Sequence, residues 1–148
     1  FSIGYTEPTA GTDLASLRTS AVKDGDEWVI NGQKIYTSLA SYADYVWLAA
    51  RTDPDAPKHK GITYFAIDMD QEGMEVRPLR ELTGRALFNE VFMTDVRVAD
   101  SSIIGGQDNG WAVANTTLAF ERSGLGAGGR TYDYRDIDVD ARSAPWLP

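Results

Sequence analysis

Up to Asp100 the chain alternates short apolar blocks with turns rich in glycine, proline, asparagine and aspartate. Blocks of this length predict strands rather than helices. Residues 19–22 and 27–30 flank Asp24-Gly25-Asp26, which reads as a turn between two β-prone runs. Asn31-Gly32 follows at once, and both residues tolerate positive φ, so a second tight turn is expected there. Residues 34–38 then leave as a third short strand. The apolar run 45–50 (YVWLAA) predicts a strand buried on both faces, and 52–60 (TDPDAPKHK) an exposed loop. Residues 62–68 (ITYFAID), 74–78 and the alternating stretch 88–98 (FNEVFMTDVRV) complete a set of short strands.

The period changes after Gly105-Gly106. Asp108 or Asn109 can cap a helix running from Gly110 to about Ser123, with Trp111, Ala114, Leu118 and Ala119 available for one face. Beyond it, 124–148 combines glycines with acidic residues, tyrosine, tryptophan and prolines, and an irregular tail is expected. The predicted fold is mainly β, an antiparallel barrel or two packed sheets, followed by one C-terminal helix and that tail. The corresponding division is 1–107 for the β-domain, 108–123 for the helix and 124–148 for the tail.

Composition narrows the chemistry. A net charge of −8 with no basic stripe argues against nucleic acid, whose phosphates are bound through clustered lysine and arginine. With no cysteine, disulfides, thiol catalysis and thiolate metal sites are excluded, and a reducing, cytoplasmic setting is expected. His59 is the only histidine, which leaves no basis for a Ser-His-Asp triad or a multi-histidine metal site. No apolar run reaches the roughly 18–20 residues of a membrane-spanning helix. No basic, apolar, small-residue series opens the given sequence, so no secretory leader is expected.

Two stretches carry candidate chemistry. In Gly4 to Asp13 (GYTEPTAGTD) a strand ends in a loop rich in hydroxyls and backbone donors, able to hydrogen-bond a polar heterocycle or a phosphate-bearing arm. The same residues also suit a plain polar turn, with Thr12 or Asp13 capping a short helix. In Asn31 to Ser38 (NGQKIYTS) Tyr36 stands two residues before Ser38, which puts both on one face of a strand. An aromatic wall with a hydroxyl donor beside it is one reading. A cross-strand aromatic with a surface serine is the other.

Taken in order, GYTEPTAGTD, GDEWVINGQKIYTS and the apolar strand ending Ala50-Arg51-Thr52 resemble the middle domain of acyl-CoA dehydrogenases. FNEVFMTDVRV, GGQDNGWAVA and a helix ending Phe120-Glu121-Arg122 extend the resemblance over about residues 1–123. The resemblance implies FAD as cofactor and α,β-dehydrogenation of an acyl-CoA thioester. Tyr5 and Thr6 would face the flavin ring, with Thr6 hydrogen-bonding its pyrimidine side. Tyr36, where the family usually has tryptophan, would wall the isoalloxazine. Ser38 would hydrogen-bond near flavin N5, with Thr37 lending backbone contacts, and Thr12 would touch the CoA arm. The family's catalytic carboxylate lies in a C-terminal helical domain, so no catalytic residue is expected in this chain, although Glu7, Glu90 and Glu121 are present. The resemblance also implies a tetramer and an electron-transfer flavoprotein as acceptor. A flavin-free partner subunit, an oxygen-using acyl-CoA oxidase or flavin monooxygenase relative, and a free-standing β-sandwich binding module are the alternatives. Intact hydroxyls at Thr6 and Ser38 count against the first of these.

Three motif matches are discounted. Gly124 to Gly129 fits G-x-G-x-x-G but follows a helix, whereas a dinucleotide site needs strand, glycines and helix in that order. Asp136, Asp138 and Asp140 space like a calcium loop, but Ala141 stands where the tight-turn glycine belongs. Asn115-Thr116-Thr117 fits a glycosylation signal on a predicted helix.

Overall fold

The structure is a computed structural model describing residues 1–126. The Asp136–Asp140 alternation and most of the glycine-rich run lie outside the described residues. The chain divides into two compact units, Phe1–Ala114 and Asn115–Pro148. The sheet and all the candidate residues belong to the first.

Eight strands build one mixed sheet. They are β1 (Ser2–Gly4), β2 (Ser20–Asp24), β3 (Glu27–Ser38), β4 (Tyr45–Arg51), β5 (Ile62–Asp68), β6 (Met74–Leu79), β7 (Phe88–Ala99) and β8 (Ile103–Ile104). The helix α1 spans Gly110–Gly126, beyond the expected end near Ser123. Among the described residues no helix is long and apolar enough to cross a membrane. The strand order is β6-β7-β3-β2-β4-β5-β8, with β1 attached to β4. Most pairings are antiparallel, as expected. The exceptions are β1 beside β4 and the single bridge between Ser20 and Arg51, which are parallel. The mainly β architecture followed by one helix is therefore the one that the periodicity predicts.

The sheet curls around a core of Ala21, Trp28, Ile30, Val46, Leu48, Ala50, Phe65, Ile67, Met93, Val96 and Val98. Trp28 on β3 meets Phe65 on β5 edge-on, with ring centroids 5.7 Å apart, although these strands are not neighbours. Each such side chain contributes about 1.5–3 kcal/mol on full burial. The indole N–H of Trp28 escapes the core by donating to Asp100 at 2.6 Å.

One expected turn is absent. Asn31-Gly32 does not end a strand, and Glu27–Ser38 runs on as a single twelve-residue strand. The Asn31 amide instead clamps the neighbouring strand, accepting from the Asp95 N–H at 2.9 Å and donating to its carboxylate at 2.9 Å. Opposite it β7 bulges, the register stepping from Ile30↔Val96 to Gly32↔Met93. Asp95 takes φ +51 and Gly73 packs beneath with φ +86, where a Cβ would collide with the Thr94 carbonyl. The dipeptide that signals a hairpin locally is used here to seat a bulge.

Candidate functional site

A second irregularity of the β3–β7 pairing, this one a bulge on β3, decides which of its residues face outward. Trp28, Ile30 and Lys34 are buried and lie on one phase of the strand. Strict alternation would turn Tyr36 and Ser38 inward with them. Between Lys34↔Val91 and Thr37↔Asn89 the register slips, and Tyr36 adopts φ +57. The phase inverts there: Thr37 is buried, while Tyr36 is 62% exposed and Ser38 is exposed. An aromatic residue held in left-handed conformation costs of order 1–3 kcal/mol, and such strain concentrates at functional sites. The tyrosine ring leans edge-on to Phe88, with centroids 6.3 Å apart. Leu39, also at positive φ, donates its N–H to the Leu87 carbonyl at 2.8 Å and fixes the strand end.

The loop after β1 is tied to the same place. The Thr6 carbonyl accepts from the Ile35 N–H at 2.9 Å, and the Ser2 hydroxyl donates to the Ser38 carbonyl at 2.7 Å. Glu7 and Ala10 exchange two backbone hydrogen bonds of 3.1 Å, closing a tight loop with Pro8 and Thr9 exposed. Thr6 is half-buried. Its N–H and hydroxyl, like the Ser38 hydroxyl, have no partner among the described residues. The ring of Tyr5 is buried edge-on against Tyr64, with centroids 5.3 Å apart. Burial, with Tyr5 as neighbour, pushes the Tyr64 phenol up and keeps it neutral.

Thus Thr6, Tyr36 and Ser38 come together with free donors and an exposed ring. Tyr5 is present through its backbone, because its ring points inward. Thr37 also points inward, its carbonyl accepting from Asn89 at 3.0 Å and its hydroxyl unpartnered. Thr12 is exposed further along the loop. Asp13 beside it is held below the usual carboxylate range by hydrogen bonds from Ser16 and Lys58. The loop continues into a short turn over Leu14–Ser16. An exposed aromatic face flanked by unpartnered hydroxyl and amide donors fits a planar heterocycle with acceptors on its rim.

What holds the two segments together is not legible as a unit in the sequence. Lys34 is fully buried, and its Nζ donates to Glu7 at 2.8 Å and to the Tyr5 carbonyl at 3.2 Å. The Glu7 carboxylate, 4% exposed, also accepts from the Arg18 N–H at 2.6 Å and the Thr19 N–H at 2.8 Å. Gly4 packs against the same core, since a Cβ there would stand 3.0 Å from Val46 Cγ2 and 3.1 Å from Leu48 Cδ1. Burial alone would raise the Glu7 pKa, but the Lys34 charge and the hydrogen bonds from Lys34 and Thr19 outweigh it and hold Glu7 below its ordinary value. Burial pushes Lys34 down to about 8 against the opposing pull of Glu7. A carboxylate locked this way is unavailable as a base. The signal in the sequence is a lysine on the inward phase of a strand, a position that demands a buried counter-charge.

Comparison with known proteins identifies the family to which this fold belongs. The family model for the acyl-CoA dehydrogenase middle domain matches residues 2–96. Acyl-CoA dehydrogenase FadE34 of Mycobacterium tuberculosis is 55% identical over 124 residues, covering 84% of this chain and 17% of that protein. Acyl-CoA dehydrogenase FadE29 of the same organism is 49% identical over 130 residues, covering 88% of this chain and 34% of the relative. The solved Tcur3481-Tcur3483 steroid ACAD superposes with a TM-score of 0.81 at 52% identity, covering 84% of this chain and 32% of that one. The chain therefore spans about a third or less of the length of these relatives. By sequence and by fold, this chain belongs to the acyl-CoA dehydrogenase family, and residues 2–96 match its middle domain.

Proposed function

We propose that the chain supplies the flavin-facing wall of an FAD-dependent enzyme that dehydrogenates acyl-CoA thioesters between the α and β carbons. The observation that carries this reading is the bulge at Tyr36, which turns Tyr36 and Ser38 out beside the free donors of Thr6. When bound, FAD would supply a two-electron acceptor for the β-hydride. Thr6 would donate to the pyrimidine rim of the ring, Tyr36 would wall its face, and Ser38 would donate near N5. Tyr5 and Thr37 would contribute backbone, and Thr12 would meet the CoA arm. Donors fixed before reaction stabilise charge as it develops, without reorganising.

The base that removes the α-proton is assigned outside residues 1–148, where the family resemblance puts it, and Glu7, committed to Lys34, is not a candidate for it. The proposed division keeps 1–107 as the β-domain, 108–123 as the start of a helical domain and 124–148 as the tail expected from the sequence. A cytoplasmic oligomer, homomeric or built with a second subunit type, fits the paired name of the steroid relative, Tcur3481-Tcur3483. The steroid in that name also favours a bulky acyl group. Electron-transfer flavoprotein is the proposed acceptor.

The test uses the full-length protein. Anaerobic addition of a bulky acyl-CoA should bleach the bound flavin, and electron-transfer flavoprotein should restore its colour faster than oxygen does. Faster recovery with oxygen would move the assignment to an oxidase. Full-length protein that is colourless and takes up no FAD would overturn the proposal.

A further inference from the structure

Lys34 contacts more than its counter-ion. One hydrogen bond goes to its counter-ion Glu7, and another, at 3.2 Å, goes to the Tyr5 carbonyl. That carbonyl belongs to the same peptide unit as the Thr6 N–H. A trans peptide is planar, with its C=O and N–H pointing in opposite directions. A carbonyl held from inside the domain by an ammonium therefore aims the Thr6 N–H away from that ammonium. The next peptide is fixed too, through the Thr6 carbonyl and the Ile35 N–H. Thr6 is thus clamped on both sides, while its own N–H and hydroxyl have no partner among the described residues.

We propose that Lys34 is a positioning residue that raises the reduction potential of the flavin through the Tyr5–Thr6 peptide. The proposal rests on the flavin-binding reading given above. A cation on a carbonyl draws electron density from the peptide and strengthens its N–H as a donor, as hydrogen bonds in a chain polarise one another. Two-electron reduction of a flavin places negative charge on the pyrimidine side of the ring, where Thr6 would donate. A stronger donor there stabilises the reduced form more than the oxidised one. Glu7 opposes the effect by offsetting part of the ammonium charge. The desolvated site, with Lys34 fully buried and Glu7 nearly so, leaves these charges weakly screened.

The two partners therefore act with opposite sign, and this separates tuning from mere support. In the full-length holoenzyme, Lys34→Met should weaken binding of reduced relative to oxidised flavin about tenfold, a shift of about 30 mV to more negative potential. Glu7→Gln, read at a pH low enough that Lys34 keeps its proton without its counter-charge, should shift the potential the other way. A role confined to holding the loop would loosen flavin in both variants and would not give opposite shifts. If Lys34→Met does not fold, Glu7→Gln decides alone: a positive shift supports the proposal, and no shift or a negative one overturns it. Flavin bound by the parent with both potentials unchanged, or both moved the same way, overturns the tuning role and leaves the flavin reading intact. A parent that takes up no FAD overturns both.

Discussion

Glu7→Ala lowers the unfolding free energy of the chain by about 3–5 kcal/mol, the range expected when one member of a buried ion pair is removed. The loss has three sources in the geometry. Lys34 loses its counter-charge and keeps only the Tyr5 carbonyl as partner, and the amides of Arg18 and Thr19 lose their acceptor. Denaturant midpoints measure the effect, and adding Lys34→Met to the same chain should recover part of it, because the buried amine left without its counter-ion is then gone. Additive losses in the double variant would contradict a coupled pair. The same contact sets the acid response. Glu7 titrates below its ordinary value in the folded state, so its contribution is complete above the unfolded carboxylate pKa and is lost as pH falls through the depressed one. On the alkaline side the folded domain releases the Lys34 proton from about pH 8, earlier than the unfolded chain does. The cost of burying that charge is therefore relieved, not increased, as pH rises from there.

Phe65→Ala is the second large effect, a destabilisation of about 3–5 kcal/mol. The ring is fully buried and sits edge-on to Trp28 across the curl of the sheet. Truncation removes apolar area and also leaves a void bounded by a large indole whose N–H is anchored to Asp100, which restricts collapse into the space. Tryptophan emission reports the change, although Trp28 is one of 4 tryptophans in the chain, so the denaturant midpoint is the deciding measurement. A loss below about 1 kcal/mol would mean that the site repacks, against the close-packed core described here.

Much of the fold is legible in the sequence because it is written in local periodicity. The runs at Tyr45–Arg51 and Ile62–Asp68 are continuous apolar blocks, and they pair with each other residue by residue. The Asp24-Gly25-Asp26 turn closes β2 onto β3 with Asp24 opposite Glu27, and Gly25 takes positive φ as a turn glycine can. The departure at Asn31-Gly32 has a clear cause: its hairpin signal is local, whereas the partner of the Asn31 amide is Asp95, far along the chain. The parallel attachment of β1 to β4 is not legible either, because three residues carry no register information.

The site divides along the same line. Thr6, Tyr36 and Ser38 stand out by residue type and order, yet the alternation that pairs Tyr36 with Ser38 would, carried on from Lys34, turn both inward. Only the bulge at Tyr36 turns them out, and it is a property of the pairing with β7. Lys34 and Glu7 stand in the two informative stretches with nothing in either to connect them. Their contact depends on the loop after β1 being tied to β3 through Thr6 and Ile35, which no single stretch reveals.

The central claim is that Thr6 and Ser38, presented beside the exposed face of Tyr36, hold a flavin. The most direct measurement is the flavin content of the full-length protein compared with its Thr6→Val/Ser38→Ala variant, after both are offered FAD. The account predicts a flavin-loaded parent and a folded variant with FAD affinity roughly 5- to 150-fold weaker, each of the two lost hydrogen bonds counting for about 0.5–1.5 kcal/mol. Equal flavin content and equal affinity in the two proteins would contradict it.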